Sequence, residues 1–134
     1  MGEKKKIVID TNILISAFGW EGKPKKLLDK VVNGEFELIL SHSQFKELER
    51  VLHYPRLEFD EGKTLRFLEI ISAIATFVKV SGELHFVKDD PDDDMIVEAA
   101  LEYSAIIISG DDHLLSLKLN KIKVYTVADF LKIL

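Results

Sequence analysis

The fold is decided by the stretch KKKIVIDTN at residues 4–12, in which a branched apolar run leads directly into a carboxylate. The run from Ile7 to Ile9 contains no polar residue, which is typical of a central strand buried on both faces of a parallel sheet. Asp10 follows it and is predicted to lie at the edge of the sheet, where open α/β folds bind ligands. Because a buried carboxylate without a partner is costly to desolvate, we expect a metal ion beside it.

The composition is that of one folded domain of ordinary size. The chain has 134 residues, which suits a single domain over residues 1–134, and its hydrophobic fraction of 47% is enough for a packed core rather than disorder. It contains no cysteine, which excludes disulfides and thiolate metal sites. The net charge of −5 argues against nucleic-acid binding through overall positive charge. An acidic site that works through bound cations remains compatible with that charge.

The hydropathy pattern contains neither a membrane span nor a signal peptide. No apolar run approaches the roughly 20 residues that a membrane helix needs. The apolar stretch after the N-terminal lysines is short and ends at Asp10, which does not suit a signal peptide. We therefore expect a cytoplasmic protein that makes no contact with a membrane.

Strand and helix patterns alternate along the chain. The predicted strands are 5–9, 36–40, 77–80, 105–108 and 123–125. The predicted helices are 11–17, one from Pro24 to the stop signal at 33–34, one capped by Ser41 or Ser43, 60–75, one beginning near 92–94, 113–119 and 127–134. This alternation predicts an α/β fold with a mostly parallel central sheet covered by helices on both faces.

A second strand ends in the same way as the first. Asp111 follows the apolar strand at 106–108 as Asp10 follows the strand at 7–9. In a parallel sheet both strands would end at one edge, which would bring the two carboxylates close together. The alternative for each is a helix cap or turn residue, which aspartate often is.

The acidic run at residues 89–94 offers several further candidates. Acidic residues favour a helix N-terminus through capping and the helix dipole. Five carboxylates exceed that need, however, and repel one another unless a cation is present. Asp93 precedes apolar residues of the following helix by three, four and seven positions, so it continues the buried face. Asp94 lies on the same side of the helix as Glu98, four residues later, and is expected to point more towards solvent.

The remaining polar candidates are less decisive. Glu47 and Glu49 both flank the apolar stripe of the third predicted helix, and periodicity does not choose between them. The histidines show no paired metal-ligand spacing and are interpreted as surface or loop residues; they are His42, His53, His85 and His113. A donor set made only of oxygen favours Mg²⁺ or Mn²⁺ over zinc.

Taken in order, these pieces resemble the PIN-domain (PilT N-terminus) family of metal-dependent ribonucleases, in particular its VapC-type toxin components. Each piece alone has low specificity, but together they span nearly the whole chain in the right order. The matching pieces are Val8–Asn12, Glu47–Leu48 with Val51–Leu52, Asp90–Asp93, Ile108–Asp111 with Leu114–Leu115, and Val124–Leu131. The resemblance implies a PIN-like three-layer α/β/α sandwich.

The resemblance also implies a set of site residues. The acidic quartet, catalytic and metal-binding, would be Asp10, Glu47, Asp93 and Asp111. The family pattern thereby selects Glu47 over Glu49, and Asp93 because it keeps the family's spacing to Ala100 and to Asp111. Asp90 and Asp94 would be the possible substitutes for Asp93. Asn12 and Ser109 match polar positions that hydrogen-bond the carboxylates or hold the site.

The activity implied by the resemblance is hydrolysis of phosphodiester bonds in single-stranded RNA by an Mg²⁺- or Mn²⁺-dependent endoribonuclease. The same resemblance implies a toxin–antitoxin role, an antitoxin partner and a homodimer. Basic residues that would meet RNA phosphates, each with a solvated surface position as its default interpretation, are Lys23, Lys25, Lys26, Lys46, Arg50 and Arg56.

Two alternatives remain open. One is a degenerate PIN domain that binds RNA or protein without cutting. The other is a phosphatase of the haloacid-dehalogenase type, because Asp10-Thr11-Asn12 resembles its Asp-x-Asp loop. In that second case Asn12 stands where the loop requires a second aspartate, and Glu47 has no role.

Overall fold

The computed structural model describes residues 4–83, 91–117 and 121–134. The strands of the described part are β1 (Lys5–Ile9), β2 (Phe36–Ser41), β3 (Ala75–Val78), β4 (Ile106–Ile108) and β5 (Val124–Tyr125). The helices of the same part are α1 (Thr11–Gly19), α2 (Lys23–Val32), α3 (His42–Leu52), α4 (Glu61–Ile74), α5 (Pro91–Tyr103), α6 (Asp112–Leu115) and α7 (Val127–Lys132), with a short 3₁₀ helix at Pro55–Leu57.

The five described strands form one parallel sheet in the order β3-β2-β1-β4-β5. The chain starts at the centre with β1, moves outwards through β2 and β3, and then crosses to the other side of β1 for β4 and β5. The direction of winding therefore reverses between β1 and β4, where Ile9 pairs with Ile108. Such a reversal opens a crevice at the carboxyl ends of the two strands, which is the usual ligand site of an open α/β sheet.

Two separate cores cover the two faces of the sheet, which confirms the predicted three-layer α/β/α arrangement. Successive strand residues point to opposite faces, so Ile7 and Ile9 join one core while Val8 joins the other. The first core contains apolar residues of α1, α2, α3, α4 and α7. The second core is built mainly on α5, through residues that include Val97 and Ala100.

Local sequence signals fix where several helices begin. The hydroxyl of Ser41 accepts a hydrogen bond of 3.0 Å from the backbone of Gln44, so Ser41 rather than Ser43 caps α3. Asp60 caps α4 in the same way through the backbone of Lys63, at 2.9 Å. At the end of α1, a Cβ atom on Gly19 would lie 2.9 Å from the ring of Phe59, so this close approach requires glycine.

Two predicted elements differ from the structure. The third strand occupies 75–78 rather than 77–80, because it is set by its pairing with residues 38–41 of β2 and follows α4 without an intervening turn. The helix predicted at 113–119 ends at Leu115, and residues 118–120 lie outside the described residues. The hydroxyl of Ser116 donates to the carbonyl of His113 at 3.3 Å, a local bond that competes with continuation of the helix.

The described helices are short. The longest of them, α4, has 14 residues. No helix within residues 4–83, 91–117 and 121–134 has the length and apolar character needed to cross a membrane.

Candidate metal centre

A polar cavity of about 180 Å³ opens at the carboxyl edge of the sheet, where β1 and β4 end. The structure brings all four residues of the predicted acidic quartet together in its walls. The lining residues are Asp10, Thr11, Asn12, Glu47, Val51, Asp92, Asp93, Ile96 and Asp111. The cavity therefore joins the residue after β1, the start of α1, helices α3 and α5, and the turn after β4.

Asp10 serves as a helix cap and as a wall of the cavity at once. Its side chain is only 7% exposed. Oδ1 accepts a hydrogen bond of 3.2 Å from the backbone of Asn12 at the start of α1, and Oδ2 accepts one of 2.7 Å from the hydroxyl of Ser109. The capping and site interpretations of this residue are thus compatible. Asn12 itself lines the cavity with an exposed side chain.

Ser109 connects the ends of β1 and β4. It is fully buried, and besides donating to Asp10 its oxygen accepts a hydrogen bond of 3.0 Å from the backbone of Asp111. The Oδ1 atom of Asp111 in turn accepts one of 2.7 Å from the backbone of His113 and caps α6. One hydroxyl therefore fixes the spacing of the two strand-end carboxylates.

Glu47 reaches the cavity from α3 and is held by Thr11, whose hydroxyl donates a hydrogen bond to Oε1 of Glu47. Gln44, one turn earlier, is buried and donates a hydrogen bond of 2.6 Å to the carbonyl of Ile9. A second bond from the same Gln44 amide reaches the hydroxyl of Thr11 at 3.4 Å. These bonds attach α3 to the end of β1, so Glu47 and Asp10 face one another across the cavity.

The electrostatics of the cavity are those of crowded carboxylates. Burial, the hydrogen bond to Asp92 and the charges of Asp92 and Asp10 together raise the pKa of Glu47 from its ordinary value of 4.5 to about 7, and burial makes the largest contribution. The hydrogen bond from Thr11 opposes this rise. A hydrogen bond between the two carboxyl groups of Glu47 and Asp92 requires a proton on one of them. A divalent cation placed among these groups would replace that proton and remove the repulsion.

Helix α5 presents two aspartates of the acidic run, Asp92 and Asp93, to the cavity. Asp93 is 6% exposed and lines the cavity, in line with the helical face on which its sequence position places it. Asp92 is exposed but also lines the cavity, and sequence reasoning missed it because it assigned the run only one inward position. Asp90 lies outside the described residues.

The prediction that Asp94 points towards solvent is wrong. Asp94 is 4% exposed and Glu98, on the same line of the helix, is 6% exposed. The segment after β3 covers this side of α5, because the carboxylate of Glu98 accepts hydrogen bonds from Ser81 N at 2.5 Å, Ser81 Oγ at 3.0 Å and Gly82 N at 3.3 Å. Asp94 is not among the described residues that line the cavity.

A histidine that the sequence gave no reason to select lies beside the carboxylates. A ring nitrogen of His113 and one carboxylate oxygen each of Asp93 and Asp111 all lie within 4.8 Å of one another. This group has no regular spacing in the sequence, because Asp93 belongs to α5 and Asp111 to the turn after β4. The described residues that line the cavity itself offer carboxylate, hydroxyl and amide oxygens, and such a set fits a hard divalent cation such as Mg²⁺ or Mn²⁺.

The cavity continues into a second cleft of about 290 Å³. This cleft shares Asp10, Asn12 and Asp111 with the first and adds a wall formed by Ile13, Ser16 and Gly110. A larger cleft of about 330 Å³, lined in part by Lys4 at the start of β1, has Glu37 as the sole carboxylate among its described lining residues.

Comparisons with known proteins agree with this architecture. The sequence profile of the PIN domain matches residues 6–113, a span that includes every carboxylate of the cavity. The uncharacterised protein MJ1680 of Methanocaldococcus jannaschii is 33% identical over 119 residues, which cover 86% of this chain and 76% of that protein. The crystal structure of VapBC2 from Rickettsia felis bound to a DNA fragment from their promoter matches with a TM-score of 0.62 at 11% identity, covering 89% of this chain and 96% of that chain. This last likeness shows a shared fold.

Proposed function

The chain belongs to the PIN-domain family, whose members are generally nucleases, and on that premise we propose that it is a metal-dependent ribonuclease that hydrolyses phosphodiester bonds of single-stranded RNA. The observation that carries the proposal is the meeting of Asp10, Glu47, Asp93 and Asp111 in one cavity at the reversal point of the sheet. A phosphatase with a nucleophilic Asp10 would leave Glu47 without a role, although Glu47 lies in the same cavity.

The metal ligands in this proposal are Asp10, Asp93 and Asp111, with Glu47 as a further ligand or as the group that positions the attacking water. One or two Mg²⁺ or Mn²⁺ ions, when bound, would lower the pKa of a water molecule and neutralise charge that develops on the phosphate. The protein's own contribution is to hold these carboxylates in place. Ser109 fixes Asp10 and Asp111, and Thr11 fixes Glu47.

Single-stranded RNA is the substrate class favoured by the surface of α3 and the residues after it. Arg50 lies one helical turn, about 5 Å, beyond Glu47, and its Nη1 atom donates a hydrogen bond of 2.9 Å to the hydroxyl of Tyr54. The guanidinium of Arg56 lies 5.6 Å from the centre of the Tyr54 ring. We call Arg50, Tyr54 and Arg56 the arginine–tyrosine cluster. Guanidinium groups bind phosphates and an aromatic ring stacks an unpaired base, which single-stranded RNA offers.

A toxin role is the second part of the proposal. The sequence resembles VapC-type toxins, and the fold is shared with a VapBC2 structure. We extend the proposal to a toxin that an antitoxin partner restrains and that forms a homodimer. Inhibition of RNA cleavage by a co-expressed partner protein, together with the molar mass in solution, tests this extension.

The test of the ribonuclease proposal is incubation of the purified protein with a set of single-stranded RNAs in Mg²⁺, in Mn²⁺ and in EDTA. Asp10→Asn is the test variant, and Asp29→Asn is the matched control because Asp29 forms an exposed ion pair with Lys25 on α2. We expect cleavage by the wild type and by the control in either metal. In Asp10→Asn the loss should exceed the about 10–100-fold typical of residues that only support a ligand.

Two outcomes would overturn the proposal. Cleavage that persists in EDTA, or that is equal in Asp10→Asn, would remove the metal site from the reaction. Binding of RNA without cleavage under any metal would instead favour a degenerate PIN domain that acts as a binding module.

A further inference from the structure

His113 is placed next to the acidic cavity by the fold rather than by sequence proximity alone. Its Nδ1 atom lies 3.6 Å from Oδ1 of Asp111, and a ring nitrogen lies within 4.8 Å of a carboxylate oxygen of Asp93. Asp93 belongs to α5, whereas Asp111 and His113 belong to the turn after β4 and to α6. Three donors of two chemical types thus converge from separate parts of the chain.

The two aspartates of this group are held in place by the fold, whereas the side chain of His113 is free to change its rotamer. Asp93 is buried, and the backbone of Asp111 is held by Ser109. The backbone of His113 is fixed by its bond to Asp111 Oδ1, while its side chain is 72% exposed. Because the imidazole is not packed in a core, it can rotate towards the carboxylates without disturbing the fold.

We propose that a ring nitrogen of His113 is a metal ligand that, with Asp93 and Asp111, forms a mixed nitrogen–oxygen site selective for Mn²⁺ over Mg²⁺. This inference rests on the proposed function, in which Asp93 and Asp111 are ligands. Ligand atoms on opposite sides of an ion with bonds of about 2.1 Å are about 4.2 Å apart, so a small rotation of the exposed ring closes the observed group around an ion. Imidazole suits transition ions, whereas Mg²⁺ is bound through oxygen.

A plain ion-pair role for His113 predicts the opposite behaviour. An imidazolium held 3.6 Å from Asp111 would neutralise that carboxylate and repel a cation from it. Removal of His113 would then strengthen cation binding. A ligand role requires that removal of His113 weakens the binding of Mn²⁺ in particular.

The experiment compares the wild type, His113→Ala and His53→Ala with bound Mn²⁺. His53 is an exposed histidine at the end of α3 that is not among the described residues lining the cavity, so its variant is the matched control. Electron spin-echo envelope modulation detects nitrogen bound directly to Mn²⁺, and calorimetry gives the Kd for Mn²⁺ and for Mg²⁺. We expect nitrogen modulation in the wild type and in His53→Ala and none in His113→Ala. The Kd for Mn²⁺ should rise about 10-fold in His113→Ala, while the Kd for Mg²⁺ should change less than about twofold.

The outcomes separate this inference from the proposal beneath it. If the wild type binds Mn²⁺ and cleaves RNA but shows no nitrogen modulation, His113 is not a ligand and the ribonuclease proposal stands. Equal or tighter Mn²⁺ binding by His113→Ala also overturns the inference. If Asp111→Asn leaves Mn²⁺ binding unchanged and no RNA is cleaved, the ribonuclease proposal fails and the inference fails with it.

Discussion

The hydroxyl of Ser109 donates a hydrogen bond of 2.7 Å to Oδ2 of Asp10, a residue 99 positions earlier in the chain. The same oxygen accepts from the backbone of Asp111 at 3.0 Å. A serine without ionisable character thus orients the carboxylate of Asp10 and holds the backbone of Asp111 beside it, and supporting partners of this kind tune a metal site.

Ser109→Ala should therefore weaken the site without removing a ligand. We expect the Kd for Mn²⁺ to rise, and kcat for RNA cleavage to fall, by about 10-fold. Ser109→Thr keeps the hydroxyl and should retain most of both. Calorimetry and single-turnover cleavage measure the two effects. Equal metal affinity in Ser109→Ala and the wild type would show that the bond to Asp10 does not orient the site.

The raised pKa of Glu47 predicts an unusual dependence of stability on pH in the metal-free protein. Between its ordinary pKa of 4.5 and its folded pKa of about 7, the folded state holds a proton that the unfolded chain releases. The contribution of this group to the free energy of unfolding is therefore present below pH 4.5 and is lost as the pH rises through 7. In EDTA, Glu47→Gln should match the wild-type Tm at pH 5 and exceed it at pH 8.

Added Mg²⁺ should reduce that difference at pH 8, because a cation stabilises the ionised carboxylate of the wild type. Glu49→Gln, at an exposed position of the same helix, is the control and should leave the pH profile unchanged. Thermal unfolding at a series of pH values provides the measurement. A Tm difference that is constant from pH 5 to pH 8 would contradict the assignment.

Glu98 anchors the segment that follows β3, and its removal should destabilise the protein. Glu98→Ala leaves the backbone N–H groups of Ser81 and Gly82 without their carboxylate acceptor. We expect a loss of about 2–3 kcal/mol in the free energy of unfolding, measured by urea denaturation. Glu102→Ala, one turn further along α5 at an exposed position, should cost much less. Similar losses in both variants would show that the three hydrogen bonds of Glu98 contribute little.

The arginine–tyrosine cluster predicts a graded loss of RNA affinity. In the Asp10→Asn background and in EDTA, Tyr54→Ala should weaken binding of single-stranded RNA by about 5–50-fold, as expected for the loss of one stacked base. Tyr54→Phe retains the ring and should lose less, and Arg66→Ala at an exposed position on α4 is the control. Fluorescence anisotropy with labelled RNA measures the affinity. If Tyr54→Ala binds as the wild type does, RNA follows another path over the surface.

The sequence was sufficient to predict the parallel sheet and to place two carboxylates at one edge of it. Apolar runs that end in Asp10 and Asp111 marked the two strands, and a parallel sheet then required the carboxylates to meet. The choice between Glu47 and Glu49 was beyond periodicity, because both flank the same apolar stripe. The position of Glu47 in the cavity depends on Thr11 and Gln44, which attach α3 to the end of β1.

The error about Asp94 has a physical cause that a helical pattern does not contain. Asp94 and Glu98 lie on a line that looks solvent-facing, yet the segment at 81–82 covers it through long-range hydrogen bonds. His113 is exposed, as the sequence analysis predicted, and its grouping with Asp93 and Asp111 leaves no regular spacing in the sequence because these residues belong to different elements.

The pairing of β1 with β4 also determines when the acidic cavity can form during synthesis of the chain. A ribosome that has already made Asp10, Glu47 and Asp93 has still to make Ser109 and Asp111, so a nascent chain carries an incomplete site. Only after β4 has emerged and docked beside β1 are all carboxylates in position. On the proposed function, a chain that terminates before β4 lacks Ser109 and Asp111 and should therefore have no nuclease activity.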